Sequence, residues 1–283
     1  MSGGRAPATE QRPSSERTLA PFGRRLAAVT ARERHGAYVV LRCADPTGPL
    51  PAAGQFYMLA AATRWGGGAE ERPFLPRAFS VLRAGESSGA GVELQFLIED
   101  VGPGTERLCE LAPGDGLLLV GPLGNGFEPP REGRRALLVG GGVGIAPLAI
   151  LQDRLGSGTP ALLGFRDAAH AEGAALLGTA RVATDDGSVG HEGLVTDLLL
   201  DELRERAEQL EVYACGPPAM LEAVRSSCAE HSAPVQLALE SGMACGFGAC
   251  FGCVVPTRQG LVRLCLEGPV LDGALLDTAM VAP

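Results

Sequence analysis

Four cysteines, Cys245, Cys250, Cys253 and Cys265, stand in the spacing C-x4-C-x2-C-x11-C. This is the plant-type arrangement in which four thiolates hold a 2Fe–2S cluster. A loop wrapping two irons needs residues tolerant of positive φ, and its N–H groups must come close to the sulfurs. Gly246, Gly248 and Gly252 supply that freedom between the ligands. Two other chemistries remain open to the same residues. One is a structural zinc ion, although zinc sites commonly present two C-x2-C pairs or mixed Cys/His sets. Here there is one such pair and no histidine after His231. The other is a group of packed, unligated thiols.

The elements that must position this loop are read from the texture of the chain. Its 283 residues are enough for two or three cores. Forty glycines (Gly 40) and Pro 21 favour short strands and tight turns over helical bundles. Alternating runs at 25–32, 37–42, 55–60, 78–83, 92–98 and 116–120 read as strands. Turn residues such as Asp45-Pro46-Thr47-Gly48 and Pro113-Gly114-Asp115 separate them. With one helical stretch at 105–111, they imply a small antiparallel barrel. Residues 64–71, containing three consecutive glycines, read as an exposed loop.

From residue 134 the pattern changes. A continuous apolar run at 136–139 has the character of a strand buried on both faces. It leads into the glycine stretch 140–144 and a helix to 155. Strands at 161–165, 180–184 and 211–214 then alternate with helices at 196–209, capped by Thr196, and at 219–231. This alternation implies a parallel sheet with ligands at the carboxyl ends of its strands. A last strand at 237–239 enters the cysteine loop, and residues 261–264 deliver Cys265. The fold class is multidomain: an antiparallel β-barrel over 21–130, a Rossmann-like parallel α/β domain over 131–235 and a small cluster region over 236–283. Residues 1–20, polar and rich in Pro, Ser and Arg, read as a flexible tail.

Charge excludes several functions. The formal net charge of -9 argues against nucleic acid as a partner. All 24 Lys+Arg positions are arginine, which removes lysine Schiff-base and P-loop lysine chemistry. Cofactor phosphates must therefore meet arginine or backbone N–H groups. No apolar run reaches the ~20 residues of a membrane-spanning helix, and the N-terminal stretch lacks the apolar segment of a signal peptide. With a cluster, Cys 8 implies a reducing, cytoplasmic compartment. Cys43, Cys109 and Cys228 read as buried small hydrophobes.

The stretch 140–144 follows a strand and opens a helix, the context for a pyrophosphate at a helix N-terminus. It does not match G-x-G-x-x-G, and such a turn is as readily structural. Asp167 is the acid past the next strand, beside Arg166, and one arginine there does not separate NAD from NADP. His35, His170, His191 and His231 are scattered among polar residues and are expected to be solvated.

The ordered motifs resemble the ferredoxin-NADP reductase superfamily. Arg77-Ala78-Phe79-Ser80 matches its R-x-[YF]-S flavin motif, and Gly102-Pro103-Gly104-Thr105 its G-x-G-[TS] phosphate turn. Gly140 to Pro147 and Cys215-Gly216-Pro217 match its nicotinamide-side motifs. Leu239-Glu240-Ser241-Gly242-Met243 before the cysteines, and Gly121-Pro122-Leu123-Gly124-Asn125-Gly126-Phe127, resemble one family within it: electron-transfer subunits of NAD-dependent dihydroorotate dehydrogenase. The resemblance runs from about residue 21 to the end, with the cluster motif its most specific part.

That resemblance implies FAD in the barrel, a 2Fe–2S cluster on the four cysteines, and NAD as electron acceptor or donor. Arg77, Ala78, Phe79 and Ser80 would lie along the flavin and its pyrophosphate, with Leu97, Ile98 and Glu99 on the next flavin-contacting strand. Gly104 and Thr105 would supply amide and hydroxyl donors to the phosphates. Gly141, Gly142, Gly144, Cys215, Gly216 and Pro217 would hold the nicotinamide side. The family tends to place an aromatic and a basic residue where this chain has Ile98 and Glu99. Cys215 reads equally as a packed thiol, Glu240 as facing the flavin or as a loop charge, and Met243 as packing.

The implied activity is electron transfer, with no general acid or base from the protein, between NAD(H) and an FMN-containing catalytic subunit that holds the pyrimidine. The implied assembly is two relay chains on two catalytic chains. Two rivals stand beside it. One is a reductase component for an oxygenase or hydrogenase. The other is a zinc-stabilised binding module without electron transfer.

Overall fold

The computed structural model describes residues 23–67, 73–86 and 91–281; the N-terminal stretch 1–20 and parts of the loops at 64–71 and 85–91 lie outside them. Six strands close an antiparallel barrel: β1 (Arg25–His35), β2 (Tyr38–Asp45), β3 (Phe56–Ala61), β4 (Arg77–Glu86), β5 (Val92–Glu99) and β6 (Gly116–Leu123). Their spatial order is β1-β2-β5-β4-β3-β6. α1 (Pro103–Cys109) follows β5. In β1, Ala27 and Val29 face the barrel core while Leu26 faces out, the period of two that a closed sheet imposes. Every residue of β3 is buried, because its outer face is covered as well.

The second body is a seven-stranded sheet. Its strands are β7 (Arg135–Gly141), β8 (Ala161–Phe165), β9 (Ala180–Thr184), β10 (His191–Glu192), β11 (Leu210–Cys215) and β12 (Val235–Ala238), with β15 (Val270–Asp272) added at one edge. The order is β10-β9-β8-β7-β11-β12-β15. All neighbours are parallel except β12 and β15, which pair antiparallel. Crossovers are made by α2 (Ile145–Leu155), α3 (Ala168–Ala171), α4 (Val195–Arg206) and α5 (Pro218–Glu230). β11 and β12 are buried throughout, as the apolar runs require of strands covered on both faces.

β13 (Val254–Thr257) and β14 (Gly260–Arg263) form a separate hairpin that carries the last two cysteines. The C-terminal region therefore does more than hold a loop, because its β15 completes the α/β sheet. Neither β13 nor β15 was legible from periodicity; each is only three or four residues long.

Three local readings are corrected. Thr196 lies inside α4; Leu194 is the extended cap residue, and Asp197 accepts its N–H at 2.9 Å. His170 is buried, not solvated, beneath Arg166 and beside Tyr38. Cys43 and Cys228 are buried, with desolvation pushing each thiol to about 12, but Cys109 is only half-buried.

The barrel and sheet are tied together. α2 packs on β4. Arg83 donates to Asp153 at 2.8 Å and to the carbonyl of Leu176 at 2.7 Å. At the connection after β6, buried Glu211 accepts from the backbone of Arg131 at 2.7 Å and from Gln236 at 3.0 Å. A carboxylate so enclosed persists because its oxygens are occupied by donors.

Candidate cofactor sites and the cysteine loop

A cleft of about 200 Å³ opens where barrel and sheet meet. Pairing of Phe56 with Ser80 and Met58 with Ala78 sends Ala78 and Ser80 out on the face of Phe56. Ala78, Phe79, Ser80 and Leu97 line the barrel side of the cleft. Gly144 and Cys215 line the sheet side, and Glu240, Ser241 and Met243 close it just before the cysteine loop. Glu240 thus faces the cleft. It is exposed there, yet protein encloses it closely enough that desolvation raises its carboxyl above the usual range. Burial, then the Glu240 carboxylate, raises the Cys215 thiol well above its ordinary value, so it stays protonated.

Arg77 directly precedes the cleft-lining Ala78. Its Nη1 donates to the carbonyl of Leu75 at 2.7 Å, and its guanidinium lies 6.0 Å from the Trp65 ring centroid. The same guanidinium covers Gly104, so the motif arginine and the first turn of α1 meet directly. Thr105 is engaged within its own turn. Its hydroxyl donates to the carbonyl of Gly102 at 2.9 Å and accepts from the N–H of Val101 and Gly102. It shapes the turn and has no hydrogen left for a phosphate.

Ile98 and Glu99 point away from this cleft. Ile98 is fully buried inside the barrel, because the alternation that points Leu97 into the cleft points Ile98 the other way. Glu99, at the strand end, lines a different cavity of about 490 Å³ at the carboxyl ends of β7, β8 and β9. That cavity also receives Gly141, Gly142 and Pro217, together with Arg166, His170, Asp185 and Tyr38. Gly216 does not line it but abuts Gly141: a Cβ on Gly216 would lie 3.0 Å from the Gly141 nitrogen. Sequence reasoning assigned no site role to Tyr38 or Asp185. Tyr38 carries no signal, being one aromatic in a barrel strand, whereas Asp185 could be found from the rule that ligands gather past strand ends.

The cysteine loop is fastened to the barrel. Gly246 adopts φ 78 and sits so close to Met58 that a Cβ would be 2.4 Å from its Cγ. Asn125 donates to the carbonyl of Glu267 at 3.0 Å, and Leu239 to that of Pro269 at 2.9 Å. All four thiols are free, and Cys253 and Cys265 act electrostatically on each other, with Cys245 acting on Cys265 as well. Among the described residues no three His, Cys, Asp or Glu side chains converge as a single metal ion requires. Desolvation opposes ionisation of Cys245, but N–H groups of Cys250, Phe247 and Ala249 outweigh it and hold its thiol low. Gly252 donates to the Cys250 sulfur at 3.4 Å, and Gly248 to Cys265. N–H donors around the cysteines, together with their C-x4-C-x2-C-x11-C spacing, suit thiolates that hold an iron–sulfur cluster. Cys253 and Cys265 are buried and Cys250 is exposed, so the site has one open side.

A flavin-type barrel joined to a nucleotide sheet and a four-cysteine loop defines an oxidoreductase component of the ferredoxin-reductase class. The fold resembles a solved NADH-dependent reduced ferredoxin-NADP oxidoreductase, with TM-score 0.71 and 25% identity over 91% of this chain and 92% of that one. It also resembles the ferredoxin reductase in carbazole 1,9a-dioxygenase in fold, with TM-score 0.62 and 22% identity over 76% and 68%. Residues 240–277 match the iron-sulfur cluster binding domain of dihydroorotate dehydrogenase B. Curated relatives carry the matching name, "Dihydroorotate dehydrogenase B (NAD(+)), electron transfer subunit". The one from Clostridium acetobutylicum is 36% identical over 79% of this chain and 85% of its own length. The one from Bacillus caldolyticus is 40% identical over 70% and 78%. The chain belongs to the family of dihydroorotate dehydrogenase B electron transfer subunits.

Proposed function

We propose that the chain relays electrons between NAD(H) and the FMN-containing catalytic subunit of dihydroorotate dehydrogenase through FAD and a 2Fe–2S cluster, in pyrimidine biosynthesis. The observation that carries this reading is the shared cleft. Residues of the flavin motif, the glycine turn, Cys215 and the segment leading into the cluster loop all line one space. When bound, the flavin supplies exchange between two-electron and one-electron carriers, and the cluster moves single electrons.

The protein's own share is positioning. Arg77 and the turn at Gly104 would hold flavin phosphates, with Ala78, Phe79, Ser80 and Leu97 along the ring. Gly144 and Cys215 shape the wall against which a nicotinamide would lie, and the protonated thiol presents no charge there. Gly141, Gly142, Gly216 and Pro217 shape the adjoining nucleotide cavity. Cys245, Cys250, Cys253 and Cys265 would ligate the cluster, and exposed Phe247 and Phe251 border it on the side a partner must approach. Among the described residues no helix is long and apolar enough to cross a membrane. A cytoplasmic location, a two-plus-two heterotetramer and the domain limits 21–130, 131–235 and 236–283 are part of the same proposal.

Iron, acid-labile sulfide and flavin content of anaerobically purified protein tests it. About two irons and two sulfides per chain with flavin support the relay. Zinc without sulfide sinks it. Reduction of NAD by dihydroorotate on mixing with the catalytic subunit then checks the partner.

A further inference from the structure

Among the described residues the nucleotide cavity is lined by one arginine, and its charge is already matched. Arg166 is the arginine that lines it, and the chain has no lysine to add another. Its Nη2 donates to Glu99 Oε1 at 2.6 Å. Glu99 comes from barrel strand β5 and Arg166 follows β8, so the pair spans the two bodies. Arg166 also donates, through Nε, to His170 Nε2 at 2.9 Å. A guanidinium only donates, so Nε2 presents its lone pair. The other ring nitrogen, Nδ1, lies 3.3 Å from Arg166 Nε but only 2.6 Å from Asp167 Oδ1, and because a carboxylate only accepts, the shorter contact assigns the hydrogen to Nδ1. Glu99 Oε1 is 3.3 Å from His170 Nε2. Two acceptors thus face each other, reconciled by the arginine donating to both.

The other ionisable groups around His170 are few. Tyr38 of β2 meets its ring edge-on at 5.6 Å between centroids. Asp185, after β9, lines the same cavity, and Asp186 acts electrostatically on Asp167. None of these supplies a second cation.

We propose that Glu99 and the diphosphate of a nicotinamide dinucleotide compete for Arg166, and that His170 takes up a proton when the diphosphate takes the arginine. This rests on the reading that NAD occupies this cavity. The guanidinium exchanges one anionic acceptor for another. Glu99 Oε1 is then left opposite the lone pair of His170 Nε2, with nothing between them. One proton from solvent on Nε2 turns that contact into a charge-assisted hydrogen bond, with the imidazolium held between Glu99 and Asp167. At most one proton is bound per dinucleotide, and no electron moves. Glu99 is a positioning residue that lowers the affinity of the site and so speeds release of the dinucleotide. The bound state carries more protons than the free state, so affinity falls as pH rises.

The test is calorimetric titration of the flavin- and cluster-loaded subunit with NAD+, near neutral pH, in buffers of different ionisation enthalpy. The wild type takes up a fraction of a proton per site. Glu99→Gln binds about two- to fivefold more tightly, the worth of a partly exposed ion pair, and takes up none. His170→Asn also takes up none. Arg166→Gln binds more weakly, and adding Glu99→Gln to it changes nothing further. Flavin content and far-UV dichroism show whether each variant is folded, and Glu99→Ala stands in should Glu99→Gln misfold. NAD+ binding with no proton exchange and unaltered affinity in both Glu99 variants overturns the competition while leaving the cavity assignment intact. No NAD+ binding by the folded wild type overturns both.

Discussion

The guanidinium of Arg77 lies directly over Gly104: a methyl group on that glycine would sit 2.7 Å from Arg77 Nε. The two residues come from separate motifs, β4 and the first turn of α1, and this contact brings the two motifs together. Gly104 matters here through close approach, since its φ is not in the left-handed region. Gly104→Ala should displace the arginine, costing on the order of 1–3 kcal/mol in packing. The expected outcome is a folded chain purified with less flavin than wild type, read from the 450 nm absorbance of the denatured extract. Full flavin occupancy in the variant would remove Arg77 from the phosphate-binding role.

The four cysteines should separate ligation from packing. Each of the four serine substitutions is expected to abolish iron and acid-labile sulfide. In cluster-free protein, Cys250→Ser at the exposed position should change stability by no more than about 0.5 kcal/mol. Cys253→Ser and Cys265→Ser place a hydroxyl in a buried site and should cost more, about 1–3 kcal/mol. Thermal unfolding of the apo variants gives the comparison.

Gly144 and Cys215 join the two turns that flank the cleft. A Cβ on Gly144 would lie 2.4 Å from the Cys215 carbonyl oxygen, a backbone atom that cannot swing aside. Gly144→Ala should push the turn at 140–144 away from that at 215–217 and cost roughly 1–3 kcal/mol. Weaker NAD+ binding together with a lowered melting temperature is the expected pair of results. A melting temperature equal to that of wild type would show that the two turns need not touch.

Glu222 on α5 fastens the C-terminal segment. Its carboxylate accepts from Arg225, from the Thr278 hydroxyl at 3.0 Å and from the Ala279 N–H. The Arg225 hydrogen bond, opposed by some desolvation and helped by those of Ala279 and Thr278, lowers its pKa from 4.5 to about 2. A depressed folded-state pKa stabilises above the unfolded value and stops doing so as pH falls through the folded one. The segment should therefore loosen between about 4.5 and about 2. Glu222→Gln should loosen it at neutral pH as well. Hydrogen exchange at Ala279 and Met280 reports both; protection unchanged in the variant would count against this anchor.

The sequence by itself determined the cysteine spacing, the barrel strands, the alternation of strands and helices and the flavin motif. These signals are local: a period of two, an apolar run, or a fixed interval between ligands. Even so, α4's cap moved from Thr196 to Leu194, because the side chain that satisfies the helix end is Asp197, inside the first turn. What only the tertiary structure decided depends on contacts between distant segments. β15 joins the sheet through pairing with β12, and three residues carry too little pattern to announce it. Leu97 reaches the cleft while Ile98 turns into the barrel, a choice set by strand phase and closure. Glu99 reaches the nucleotide cavity because Arg166, 67 residues away, meets it there. His170 looked solvated among polar neighbours in the chain. Burial depends on what folds over a residue, and here Tyr38 and Arg166 do so from two different bodies of the molecule.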